Sequence, residues 1–294
     1  MDIAAALAQE PSRRELVLAS AVLVTQASAL LLWQVAELGV QAGVEALEEA
    51  VSSGMLCEEE ARVGRPTSYR FTHELIREVV YTELGEARRQ VLHQRALARR
   101  ESEGAKASEL AYHALAAGET GAAYRYSVQA GDEVLAMFAV EDAIGHYEQA
   151  RSLLQEQQWL QTMLPASAVE HLYVCLGRAS AFQNAWQQAQ EAYEELLAYG
   201  QQHRLPSLVS MTLNRLAVLA VQQSKDKPKV RALLEEAWHL AETGHDQRAQ
   251  AETEWNQAQI EAWAWEDPLK SALPHGQHAL SLARGIHDKE LEAR

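Results

Sequence analysis

Few side chains in this sequence have the types and the spacing that catalysis or metal binding requires. His275 and His278 lie three residues apart in a segment that predicts a helix, so their imidazoles are close enough to share a metal ion. The sequence around them supplies no third ligand, which favours a surface pair. His73 and Glu74 begin as a zinc-protease motif begins, but Arg77 stands where that motif needs its second histidine. The sequence therefore predicts no metal site.

Nucleophilic and phosphate-binding chemistry also lacks its usual sequence patterns. The chain contains no Gly-rich phosphate loop and no Gly-x-Ser-x-Gly turn. Neither Cys57 nor Cys175 has the pattern of a thiol placed with a neighbouring base. Two cysteines that are far apart and lack metal-binding spacing are typical of structural thiols in a reducing compartment. We therefore expect a non-catalytic, cytoplasmic protein with no cofactor of its own.

The composition favours a large and mainly helical protein. Of the 294 residues, 48% are hydrophobic and only 7 are proline, so a substantial core is expected. The abundant Ala, Leu, Glu and Gln favour helices. The net charge of −15 opposes attraction to nucleic acid and to anionic membranes. We therefore expect neither as a direct partner.

One apolar stretch has the length of a membrane span. Residues 16–33 carry no charge and follow Arg13 and Arg14. Residues 25–28, however, have the chemistry of a helix start, and they divide the stretch into two short helices. The pattern therefore predicts two helices of a buried core rather than a membrane anchor.

The first 103 residues predict a winged helix. Helices are expected at 13–24, 28–38 and 41–53, followed by a hairpin of residues 55–58 and 69–71 across a loop with Gly64 and Pro66. Thr72 is the expected N-cap of the next helix, which Gly85 ends.

The charges of this region favour regulation over DNA binding. The third helix would enter the DNA groove, but its charged residues are Glu45, Glu48 and Glu49. Residues 1–103 carry 11 basic and 16 acidic side chains. We therefore interpret the domain as a regulatory module. A DNA-binding winged helix with a repeat tail is the alternative.

Residues 104–294 predict an array of paired helices. Ala150, Leu196, Ala237 and Ala279 occupy matching positions at intervals of 46, 41 and 42 residues. This pattern resembles an elongated tetratricopeptide (TPR) repeat, and HEAT-like or other α-solenoids remain open. The last nine residues look like the start of a further repeat, so we expect the array to be truncated at its C-terminus. The predicted fold class is mainly all-α, a winged helix followed by a TPR-like α-solenoid.

A family resemblance accompanies these patterns. Residues 71–78 (FTHELIRE) and 84–93 (LGEARRQVLH) resemble the segment that follows the winged helix in STAND/NB-ARC-type bacterial transcriptional regulators. In that class a histidine at the position of His73 senses the nucleotide phosphate, and this chain has Glu74 in place of the usual aspartate. The resemblance implies that ATP or ADP binds only to a separate nucleotide-binding domain. It also implies a non-catalytic, effector-sensing fragment, whereas a scaffold attached to a cyclase or kinase is the alternative.

Two surfaces are candidates for binding a partner. In a TPR-like stack the first helix of each pair lines the concave face, where we expect a protein, a peptide or a small effector. The predicted groove residues are His171, Val174, Arg178, Met211, Asn214, Val218, Glu252, Trp255 and Gln259.

The second surface is the basic patch, defined as Arg88, Arg89, Arg95, Arg99 and Arg100. A solvated face partly paired with Glu86, Glu101 and Glu103 is the favoured interpretation. Docking of an acidic partner or a phosphate is the alternative.

Overall fold

The computed structural model describes residues 10–23, 26–59, 67–223, 226–264 and 268–293. These residues form a mainly α-helical protein with two compact units, Met1–Ala130 and Gly131–Arg294, which we call unit 1 and unit 2. The domain boundary predicted between residues 103 and 104 stays a prediction.

Unit 1 begins with the element order of a winged helix. Its first elements are helix α1 (Pro11–Leu23), strand β1 (Ala27–Ser28), helices α2 (Ala29–Ala36) and α3 (Val40–Ser52), and strands β2 (Leu56–Glu59) and β3 (Ser68–Phe71). The predicted hairpin is present, with Leu56 opposite Phe71. The two-residue strand β1 was not predicted, and it pairs with β3 to give the antiparallel order β1-β3-β2. The loop residues Gly64 and Pro66 lie outside the described residues.

Short-range hydrogen bonds explain where these helices begin and end. Ser28 is the N-cap of α2 because its hydroxyl accepts the Leu31 N–H at 3.2 Å. Gly54 follows α3 with φ of +72°, a conformation that favours glycine. Leu16 and Leu32, from either side of the predicted division, are both fully buried in the core of unit 1. Over the described ranges, no helix combines the length and the apolar character that crossing a bilayer requires.

The expected N-cap at Thr72 is wrong by one residue. Thr72 still belongs to the hairpin, because its N–H donates to the Met55 carbonyl at 3.0 Å and its hydroxyl donates to the Gly54 carbonyl at 2.7 Å. His73 therefore takes the N-cap position of helix α4, without a side-chain capping bond. The remaining helices that begin in unit 1 are α4 (Glu74–Thr82), α5 (Glu86–Ser102), α6 (Ala107–Ala117) and α7 (Thr120–Ala136).

Unit 2 is a stack of antiparallel helix pairs. It contains the end of α7, followed by α8 (Val140–Glu156), α9 (Gln158–Met163), α10 (Ala166–Phe182), α11 (Trp186–Gln202), α12 (Pro206–Gln223), α13 (Lys227–Thr243), α14 (Gln247–Ala264), α15 (Pro268–Gly285) and α16 (Lys289–Glu292). Helix α10 packs on α11, α12 on α13, and α14 on α15, which is the arrangement of a TPR-like α-solenoid.

Two glycines allow close approach of paired helices. A Cβ at Gly131 would overlap the ring of Tyr147, and a Cβ at Gly177 would overlap the ring of Tyr193. Each glycine precedes its tyrosine by 16 residues, and the two tyrosines are 46 residues apart, as are Ala150 and Leu196. The repeat therefore preserves a contact in which a glycine receives an aromatic ring.

Candidate functional site

The first helices of three successive pairs line a groove in unit 2. Helices α10, α12 and α14 contribute most of the lining of this cavity of about 610 Å³. We call it the first-helix groove. Its lining residues are Arg178, Ala181, Phe182, Trp186, Tyr193, Met211, Asn214, Arg215, Val218, Leu219, Gln222, Glu252, Asn256 and Glu290.

The structure brings together five of the nine residues predicted for a groove. These five are Arg178, Met211, Asn214, Val218 and Glu252. The other four lie on α10 or α14 but outside this lining: His171, Val174, Trp255 and Gln259. The role of all nine in binding stays a prediction.

Two arginines of the groove have no ion-pair partner among the described residues. Arg178 is exposed, and its guanidinium makes no hydrogen bond or ion pair with any residue that the structure describes. Arg215 Nε lies 3.0 Å from Met211 Sδ, and no carboxylate of the described ranges forms an ion pair with it. The Phe182 side chain is 74% exposed at the same groove. Cationic and apolar surface therefore lie side by side.

Asn214 has a structural role in the groove wall. Its Nδ2 donates to the Ser210 carbonyl at 3.0 Å and to Thr253 Oγ1 at 2.8 Å. Its Oδ1 accepts a hydrogen bond from Asn256 at 3.1 Å. The bonds with Thr253 and Asn256 hold α12 against α14. Because Asn214 is also buried, its amide has little capacity left for a ligand.

A larger cavity of unit 2 has a lining that is less suited to a charged ligand. It has a volume of about 740 Å³ and is lined mainly by glutamine and glutamate, among them Gln187, Glu191 and Glu194. No arginine or lysine belongs to its described lining. The first-helix groove is therefore the better candidate for a charged ligand.

The basic patch on α5 is largely committed to internal ion pairs. The pairs are Arg88 with Glu15, Arg89 with Glu86, Arg95 with Glu37, and Arg100 with both Glu103 and Glu109. Arg99 is exposed, and its guanidinium has no ion pair or hydrogen bond to the described residues. The predicted docking role of this patch therefore rests on a single available cation.

The region around His73 shows ordinary helix-start chemistry. The His73 side chain is exposed, and its carbonyl accepts the Ile76 N–H at 3.0 Å. Arg77, which stands at the place of the missing motif histidine, pairs with Glu74 at 2.6 Å and donates to the Ala21 carbonyl at 3.2 Å. The nucleotide-sensing role of His73 stays a prediction that requires a nucleotide-binding domain.

Sequence reasoning missed a cluster formed by Asp132, His171 and Cys175. His171 Nε2 lies 2.9 Å from Asp132 Oδ2, and Cys175 Sγ lies 3.8 Å from the same nitrogen. One ligand atom from each residue lies within 4.8 Å of the others. The spacing of His171 and Cys175, four residues apart on one helix face, was the available signal. The contact with His171 also corrects the expectation that Cys175 has no neighbouring base.

The cluster does not have the geometry of an activated nucleophile. Cys175 Sγ is 3.8 Å from both ring nitrogens of His171, so it does not align with the nitrogen opposite the aspartate. Burial, followed by the Asp132 carboxylate, raises the pKa of the Cys175 thiol. The thiol form is therefore favoured at neutral pH.

In the structure, a carboxylate lies next to the histidine pair formed by His275 and His278. Glu254 of α14 contacts both histidines of α15, with Oε2 2.6 Å from His275 Nδ1 and Oε1 3.1 Å from His278 Nδ1. The expectation of no nearby third group is therefore wrong, because helix pairing supplies a residue that is distant in sequence. Each carboxylate oxygen contacts a different histidine.

Unit 1 contains a buried histidine pair. His93 Nδ1 lies 3.0 Å from His113 Nδ1, and His93 Nε2 lies 3.0 Å from the Tyr81 hydroxyl. Burial, together with the neighbouring His113, lowers the pKa of His93. Burial also lowers the pKa of His113, whereas Glu109 opposes that shift. Both imidazoles are therefore neutral at pH 7.

Comparisons with known proteins support the fold. No protein-family model matches the chain, and no curated protein sequence matches it. Two similar solved structures are the apo form of RapI, at 12% identity, and aspartyl phosphate phosphatase F from Bacillus subtilis, at 10% identity. Each has a TM-score of 0.50 over 90% of this chain, which corresponds to 68% of the RapI chain and 67% of the phosphatase chain.

Both similar structures are helical, TPR-like repeat proteins. The likeness places this chain among mainly α proteins with TPR-like architecture. At these identities it concerns the fold alone. No family match accompanies the resemblance to STAND-type regulators.

Proposed function

We propose that unit 2 is a non-catalytic binding module whose first-helix groove captures a peptide that carries a carboxylate. The observation that carries the proposal is the lack of an acidic partner for Arg178 and Arg215 among the described residues. A carboxylate ligand would supply the missing charge, and arginine binds carboxylates with paired hydrogen bonds.

The groove has further features that suit a peptide. Its volume falls within the range of roughly 300–1,000 Å³ that is typical of ligand sites. Exposed Phe182 offers an apolar anchor of low entropy cost. Glu252 lies in the lining with the two arginines and can orient a cationic or N-terminal group of the same peptide.

The finer proposal is that this module senses an effector for a signal-transducing transcriptional regulator. The resemblance of residues 71–78 and 84–93 to STAND-type regulators supports it. In that case His73 would act as a nucleotide sensor only with a nucleotide-binding domain. The name of aspartyl phosphate phosphatase F describes that protein, and we propose no catalysis for this chain.

The proposal is tested with a peptide library. Random heptapeptides with free C-terminal carboxylates are selected on the folded chain, and enriched peptides are resynthesised with a fluorescent label. Arg178→Glu is expected to weaken their binding at least tenfold, because it replaces attraction with repulsion. Arg99→Glu is the matched control, since Arg99 is also exposed and unpaired within the described residues.

The two variants separate the groove from other surfaces. Equal affinity of the selected peptides for Arg178→Glu and for the unchanged chain would contradict the groove as the binding site. A loss confined to Arg99→Glu would move the site to the basic patch. Circular dichroism of both variants checks that the fold is retained.

A further inference from the structure

We propose that Asp132, His171 and Cys175 form a binding site for a divalent cation of the zinc class. The site is independent of the peptide-binding proposal. It is made by two helices of unit 2, because Asp132 lies at the end of α7 and the other two residues lie on α10. Within the described residues, these three form the one group whose possible ligand atoms converge.

The separations of His171 from the other two ligand atoms are compatible with a shared cation, and all three ligand atoms lie within 4.8 Å of one another. Donor atoms that bind one zinc ion tetrahedrally at about 2.0–2.3 Å lie roughly 3.3–3.8 Å from one another. The separation of 3.8 Å between Cys175 Sγ and His171 Nε2 lies at the upper end of this range. The 2.9 Å between His171 Nε2 and Asp132 Oδ2 is a hydrogen-bond distance, and it needs to lengthen by a few tenths of an ångström when the cation replaces the bond.

A neighbouring tyrosine orients the aspartate for this role. Tyr147 is fully buried, and its hydroxyl donates to Asp132 Oδ1 at 2.7 Å. The carboxylate held by this bond faces His171 with both oxygens, because His171 Nε2 lies 3.0 Å from Oδ1 and 2.9 Å from Oδ2. Partners that hold a ligating carboxylate in place are a regular part of metal sites. Gly131 admits the Tyr147 ring next to the helix that carries Asp132, so the repeat contact also positions the ligand.

The donor set selects the class of cation. Thiolate and imidazole favour zinc and similar soft or borderline ions, whereas magnesium and calcium prefer oxygen ligands. Three protein ligands leave a fourth tetrahedral position for water or another ligand. The exposure of His171, with 49% of its side chain accessible, provides a route for the ion.

The Glu254, His275 and His278 group is a weaker candidate. Its two carboxylate oxygens contact separate histidines, so the three side chains do not converge on one point. It nevertheless contains two imidazoles, which can bind added metal. The test must therefore distinguish the two groups.

The experiment measures zinc binding to the untagged full chain at pH 7.5. Zinc is titrated in competition with a chromophoric chelator, and one tight ion per chain is expected. Cys175→Ser and His171→Ala are each expected to weaken that binding at least tenfold. Cys57→Ser and His278→Ala serve as matched controls and are expected to retain it, since neither residue belongs to the cluster.

Cobalt provides a second readout that is specific for the thiolate. The Co²⁺-loaded chain is expected to show a thiolate-to-cobalt charge-transfer band that Cys175→Ser abolishes and Cys57→Ser preserves. Zinc binding that is unchanged in Cys175→Ser, or lost only in His278→Ala, would overturn the proposal. The absence of any zinc binding tighter than that of the Cys175→Ser chain would also overturn it, and the cluster would then be a hydrogen-bonded pair between helices.

Discussion

The arginines of α5 and those of the first-helix groove show how one residue type serves two purposes. On α5, four of the five patch arginines pair with nearby glutamates, and Arg100 is held by two of them. In the groove, neither Arg178 nor Arg215 pairs with a described carboxylate. The dense basic run of α5 therefore serves mainly internal pairing, whereas these two groove arginines remain available to a ligand.

The same contrast applies to the histidines. His93 and His113 of unit 1 are buried against each other, whereas His171 of unit 2 is exposed beside an aspartate and a thiol. Buried polar groups are satisfied internally and contribute to stability when neutral. Exposed groups that converge on one point are the ones suited to ligand chemistry.

The largest expected effect is the acid sensitivity of unit 1. His93 and His113 have lowered pKa values, so an unfolded histidine binds a proton below pH 6.5 that the folded one does not bind. Stability is therefore fully present above pH 6.5 and falls as the pH decreases below it. Between pH 7.5 and 5.0 we expect a loss of at most about 2 kcal/mol for each histidine, measured by urea unfolding.

Two variants test whether the buried histidine pair causes this loss of stability. The double variant His93→Gln, His113→Gln is expected to lose most of the pH dependence, although its stability at pH 7.5 is also lower. His73→Gln is the matched control, because His73 is the exposed histidine at the start of α4. An unchanged pH dependence in the double variant would show that other groups, such as carboxylates, are responsible.

Local patterns predicted much of the fold. The capping chemistry of Ser28 divided the apolar run 16–33, and the repeat spacing predicted the helix pairs of unit 2. Strand β1 was missed because two residues carry no periodicity, and its pairing with β3 depends on tertiary structure. Thr72 was misassigned because its hydroxyl satisfies a hairpin carbonyl instead of the helix start.

The candidate sites were less predictable because their parts come from different helices. The first-helix rule identified Arg178 and Met211 as groove residues, but it also selected Trp255, which lies outside the lining. A repeat period gives the face of a helix only approximately. Asp132 lies 39 residues before His171, and no local pattern relates them. Exposed Phe182 could have been found by extending the Arg178 face by one helical turn.

The second-largest expected effect on stability comes from the glycine contacts that position the groove helices. Gly177→Ala is expected to lower the free energy of unfolding by about 1–3 kcal/mol, because the added methyl group overlaps the buried Tyr193 ring. Gly145→Ala is the matched control within α8, where a Cβ would meet no atom within 4 Å. That substitution is expected to stabilise the protein by roughly 0.5–1 kcal/mol. Destabilisation of equal size by both would show that ring overlap is not the cause.

The smallest effect tests the contrast between arginines directly. Arg100 donates to both Glu109 oxygens, at 2.5 and 2.7 Å, and its side chain is only 24% exposed. Arg100→Ala is therefore expected to lower the free energy of unfolding, measured with urea, by about 1 kcal/mol. The Arg178 guanidinium has no hydrogen bond or ion pair to any described residue, so Arg178→Ala is expected to change stability by less than about 0.5 kcal/mol. The order reverses for the selected peptides, whose affinity Arg178→Ala weakens while Arg100→Ala leaves it unchanged. A cost of Arg178→Ala that equals or exceeds that of Arg100→Ala would mean that the groove arginine is also structural, and its availability to a ligand would no longer follow.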